Sequence, residues 1–90
     1  MDTATFRWQH CQGGYVIDDS MYAELDADMM RAWDGEYVIV EIMRTTNDGW
    51  QISGSDGPID LPWYDMEFRT PRNVLDFLGE QWNMEFAESE

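Results

Sequence analysis

Residues Thr3–His10 alternate along the chain. Phe6, Trp8 and His10 fall on one side and Arg7 and Gln9 on the other, a period of two that predicts a half-buried strand. Gln12-Gly13-Gly14 reads as a turn and Tyr15–Ser20 as the returning strand, so residues 3–20 are expected to form a β-hairpin. The pattern then changes. Tyr22–Trp33 places apolar or small residues at 22, 25, 29, 32 and 33, one stripe of a helix, with Glu24, Asp28 and Arg31 on its other side. Asp18, Asp19 or Ser20 would cap the start of that helix and Gly35 would end it. Glu36–Thr45 is the longest strand candidate, and its apolar run Tyr37–Met43, with a single Glu, has the pattern of a central strand. Thr46-Asn47-Asp48-Gly49 is a hairpin turn, Trp50–Ser53 its returning strand, Gly54–Pro62 a loop and Trp63–Phe68 a further short strand. Thr70-Pro71 opens a second helix whose apolar face is Val74, Leu75, Phe77 and Leu78, with Gly79 close to its end. Trp82, Met84 and Phe86 alternate with polar residues and predict a last strand. The expected fold is α+β: one small domain over residues 1–90, with an antiparallel sheet of about five or six strands and two helices.

Composition sharpens this picture through charge. Nineteen acidic residues against five arginines, with no lysine, give a net charge of −14 in 90 residues. Such a chain repels DNA, RNA and anionic membranes, and its self-repulsion opposes folding. An apolar content of 43% and an aromatic content of 14% are too high for a disordered acidic tail. The lone Cys11 allows no internal disulfide, and no apolar run has the length of a membrane span or the layout of a signal peptide. The expectation is a cytoplasmic protein. His10 and Cys11, adjacent on a strand, point to opposite faces and cannot chelate one ion together. Phosphate loop, nucleophile elbow, zinc spacing and calcium loop are all missing from the sequence. The chain is therefore expected to be no enzyme and to need no metal or cofactor.

Two segments resemble a known family. Ser55-Asp56-Gly57-Pro58-Ile59-Asp60-Leu61-Pro62-Trp63 has the form Ser-Asp-x-Pro-x-x-x-Pro-Trp. It is similar to the loop before a late strand in the phage uracil-DNA glycosylase inhibitor (UGI) family. Val16-Ile17-Asp18-Asp19-Ser20-Met21 resembles that family's first strand, which an acidic helix follows. The resemblance covers roughly residues 15–68. It implies a 1:1 complex with family-1 uracil-DNA glycosylase in the bacterial host cytoplasm and a monomer when free. It also implies that carboxylates stand in for DNA phosphates, while a hydrophobic cavity sequesters the apolar residue that the enzyme wedges into the minor groove. By position, Asp19 and Ser20 match the phosphate-mimicking acid and serine, Met21 the aliphatic that follows, and Asp56 the second acidic contact.

These readings assign the residues to two sets. The acidic edge is Asp18, Asp19, Ser20, Glu24, Asp28 and Asp56. The apolar cavity would include Met21, with Leu25, Met29, Met30 and Trp33 on a helical wall and Val38, Val40 and Ile42 on a sheet wall. Methionine suits such a wall because it adapts its shape to a guest. For both sets a plainer reading stands beside the functional one. Asp18 and Asp19 would suit the positive end of a helix dipole, and the Met and Trp residues would suit ordinary helix-to-sheet core. A second functional class is another phage-encoded acidic DNA mimic, of the anti-restriction or anti-CRISPR type.

Overall fold

The computed structural model describes residues 2–18 and 21–89, with side chains described for residues 2–11 and 28–89. Among the described residues are five strands and one α-helix: β1 Asp2–Asp18, β2 Met21–Asp34, β3 Tyr37–Arg44, β4 Trp50–Gly54, α1 Pro71–Trp82 and β5 Met84–Glu88. A 3₁₀ turn spans Leu61–Asp65. The strands form one sheet in the order β4-β3-β2-β1-β5. β1 to β4 run antiparallel as a meander. The chain then crosses through α1 to the far edge, where β5 pairs parallel to β1. The sheet is therefore mixed rather than purely antiparallel.

The first expected helix is a strand. Tyr22–Trp33 lies within β2, and the expected Gln12-Gly14 turn lies within β1, where the pairing with β2 only shifts register between Gln12 and Gly14. The physical reason is visible at Met29–Trp33. Met30 and Ala32 face the core, while Met29 and Trp33 belong to the other side, so apolar residues on both faces of a strand imitate a helical stripe. Gly35 was equally ambiguous. It does adopt a positive φ of 61°, but as the first central residue of the two-residue turn joining Asp34 to its partner Tyr37, a position that favours glycine as a helix C-cap does.

The later elements follow the sequence more closely. β3 and β4 form as expected, joined by a turn in which the Asp48 N–H donates to the Thr45 carbonyl at 3.2 Å. Thr70 caps α1 by accepting the Asn73 N–H at 3.1 Å, and Pro71 stands in the first turn. The helix runs past Gly79 and stops at Asn83, which is left-handed at φ 56°. Trp82 consequently belongs to α1, and β5 starts at Met84. The strand expected at Trp63–Phe68 reduces to one bridge, Phe68 against Trp50. Both N–H to carbonyl bonds of that bridge are 2.7 Å, so the segment seals part of the outer edge of β4.

The core lies between one sheet face and α1. Phe6, Met30, Ala32, Val40, Ile42, Trp50, Ile52 and Phe86 meet Val74, Leu75 and Leu78 of the helix. A bulge adds to it. Ala32 pairs with Val40 and Trp33 with Val38, leaving Ile39 as an extra residue, and Ile39 and Val40 are both buried.

Candidate functional site

The β1–β2 hairpin outgrows the rest of the sheet. β3 pairs with β2 only as far as Met29, and β5 pairs with β1 only as far as Phe6. The β1–β2 ladder nevertheless continues to Asp18 opposite Met21. Its outer part is a two-stranded arm, in a molecule whose principal extents are 46 × 27 × 23 Å. Asp18 ends β1, Glu24 pairs with Tyr15, and Asp28 pairs with Gln12 and is exposed. Glu24, Asp26 and Asp28 take alternate positions of β2, an interval of ~6.8 Å per step. Asp19 and Ser20 lie outside the described residues, as do the side chains of Met21 and Leu25.

Asp56 is not part of this group. It follows β4 at the opposite end of the sheet, where its carboxylate accepts the Val38 N–H at 2.8 Å and its own N–H donates to the Val38 carbonyl at 2.9 Å. Val38 pairs with Trp33, twelve residues along β2 from Met21, or roughly 40 Å at ~3.3 Å per residue. The resemblance joined Asp56 to the acidic edge; the fold gives it the work of pinning the loop after β4.

The described side chains of the apolar set do not form the two walls of a cavity. Its members lie on neighbouring strands of one sheet. Met30, Val40 and Ile42 are in the core beneath α1. Met29 flanks Cys11 and Met43 on the other face. Trp33, on that same face, is half-buried and its Nε1 donates to Gln9 Oε1 at 2.8 Å. Val38 is half-buried opposite Trp33.

The face away from α1 carries a polar row that the helical reading of β2 concealed. Arg31 Nε donates to Glu41 Oε2 at 2.5 Å, and Ser53 Oγ donates to Glu41 Oε1 at 3.1 Å. The hydrogen bond to Glu41 and its negative charge hold the Arg31 guanidinium above its ordinary pKa. A raised arginine contributes its stability below its unfolded value and loses it only as pH rises through the folded one, so Arg31 stays charged across the neutral range. A period-two reading of residues 28–34 would have revealed this row.

Charge is distributed unevenly. Asp2, Asp28, Asp34, Glu36, Asp48, Asp56, Asp60, Asp65, Glu67, Asp76, Glu80, Glu85 and Glu88 are all exposed. Arg31, Arg44 and Arg72 are each paired with a carboxylate. An open cleft of about 450 Å³ lies between the β3–β4 turn and Glu67–Arg69. Its two carboxylates are engaged, Asp48 by Arg44 at 3.2 Å and Glu67 by Asn47 at 3.4 Å. Among the described residues, no three His, Cys, Asp or Glu side chains gather where a metal ion could be held, and no helix is long and apolar enough to cross a membrane. Compared with known proteins, the chain matches no family model, no curated protein and no solved structure.

Proposed function

We propose that the chain is a non-enzymatic inhibitor that competes with DNA for a basic groove, with family-1 uracil-DNA glycosylase as the target nominated by the resemblance. The observation that carries this reading is the β1–β2 arm, which concentrates Asp18, Glu24, Asp26 and Asp28 on two paired strands. Between Trp8 and Met30 the sequence has no lysine or arginine. Carboxylates at regular strand intervals need little ordering on binding and steer a basic partner toward contact. A ribbon of two strands is also narrow enough to enter a groove shaped for nucleic acid.

A second reading has an observation of its own. The strand that replaces the acidic helix removes the wall against which the enzyme's wedge residue would be held. Acidic mimicry without that cavity fits another DNA-processing enzyme equally well, such as a restriction or CRISPR nuclease. Uracil excision measured with and without an equimolar amount of this protein separates the two. Loss of excision, with one new species on a native gel that excludes uracil-containing DNA, supports the glycosylase. Full excision at equimolar protein removes that target.

A further inference from the structure

The outer edge of β1 is a partly unused ladder. The last β5 contact on it is the Ser89 N–H donating to the Phe6 carbonyl at 2.7 Å. In a strand, the N–H and C=O of one residue point the same way and alternate from residue to residue. Since Phe6 points to the β5 side, Trp8 and His10 point there too, whereas Arg7, Gln9 and Cys11 bond toward β2. Among the described residues, nothing pairs with Trp8 or His10 on that side. β1 has 17 residues and β5 covers five of them. Such an edge is a template for strand addition. The opposite edge of the sheet, by contrast, is partly sealed by Phe68.

We propose that the outer edge of β1, from Trp8 along the arm, takes an extended basic segment of a partner protein as an added strand. The inference deepens the proposed function and rests on its basic partner. Charge selects the occupant. The stretch from Trp8 to Met30 holds Asp18, Asp19, Glu24, Asp26 and Asp28 and no basic residue but His10. A second copy of the chain would bring another −14 to the same edge, whereas a segment rich in Arg or Lys gains attraction along its length. Main-chain bonds would then supply a fixed register, which charge alone does not.

The test uses the whole chain and a dye-labelled eight-residue peptide of alternating Arg and Val. His10→Pro removes one outward N–H, and proline is tolerated on an edge strand when its nitrogen faces away from the ladder. The peptide is expected to bind the wild type and to bind His10→Pro at least tenfold more weakly. The same peptide with alternate residues N-methylated, tested on the wild type, should weaken similarly and does not depend on the variant folding. Equal binding of the plain and N-methylated peptides would reduce the interaction to charge and overturn strand addition. Failure of the plain peptide to bind would overturn it as well, as would a wild-type dimer that His10→Pro abolishes. If these peptide differences appear while uracil excision is untouched, the edge assignment stands and only the glycosylase target falls.

Discussion

Met29 and Met30 are adjacent and nearly equal in exposure at 9% and 7%, but only Met30 belongs to the core cluster, so its truncation should cost more. Met30 lies in the cluster beneath α1, between His10 on β1 and Ile42 on β3. Met30→Ala should therefore leave a hole in a closed core, at a cost of about 2–5 kcal/mol. A domain of this length has about 5–13 kcal/mol in total, so in the worst case the variant keeps none of its stability. Its melting temperature should fall by roughly 8–40 °C. Met29 faces the side that α1 does not cover, with Cys11 and Met43 as cross-strand neighbours. Met29→Ala loses those lateral contacts and the apolar area of a side chain that is only 9% exposed, for a total of about 1.5–3 kcal/mol. Urea unfolding of both variants, with slopes constrained to be equal, measures the difference through the midpoints. A larger loss at Met29 than at Met30 would refute the placement of Met30, rather than Met29, in the closed core beneath α1.

Three further outcomes are expected. Replacing Asp18, Glu24 and Asp28 together by their amides should slow association with the proposed basic partner and flatten its salt dependence; raising salt should slow wild-type association while raising the melting temperature, because screening weakens both the attraction to a basic partner and the self-repulsion of a −14 chain. Asp56→Ala should cost about 1 kcal/mol of stability through the lost Val38 bond and leave the stopped-flow association rate unchanged. Gly35→Val should cost about 1–2 kcal/mol in urea titration, since a β-branched residue does not tolerate the positive φ of that turn.

The parts of the fold that the sequence disclosed are those fixed by local chemistry. Thr70-Pro71 allows little besides a helix start, and Asp48-Gly49 between two apolar runs allows little besides a hairpin. The single alternating pattern of Met84–Phe86 likewise has one solution. β2 was concealed because its partners are distant in sequence. Whether Met29-Met30 and Ala32-Trp33 serve a helix or a two-faced strand depends on β1 and β3 pairing on either side, and no signal within residues 22–33 reports that. The bulge at Ile39 has the same character. Its apolar run reads as a strand covered on both faces, whereas the extra residue turns Ile39 and Val40 both into the core. The parallel pairing of β5 was hidden too, since strand direction leaves no trace in an alternating pattern of five residues.

The candidate site was legible as charge but not as shape. Asp18, Glu24 and Asp28 stand out in any reading, and the fold keeps them on one hairpin. Asp56 entered through a loop resemblance, and dimensions argue against one partner reaching it together with the arm. A standard interface covers about 800 Å² on each side, a patch about 30 Å across. The ladder places the arm's tip roughly 40 Å from Asp56, so a partner seated on the tip would need a larger than standard footprint to touch both. The hydrogen bond from the Val38 N–H to the Asp56 carboxylate supplies a sufficient reason for an acid at that position without any partner. The arm alone has what an encounter surface requires: several carboxylates at strand spacing, no arginine among them, and an edge whose backbone is open for pairing. A protein that recognises this chain is therefore expected to read the arm from its edge, and to be indifferent to the acidic groups at the far end of the sheet.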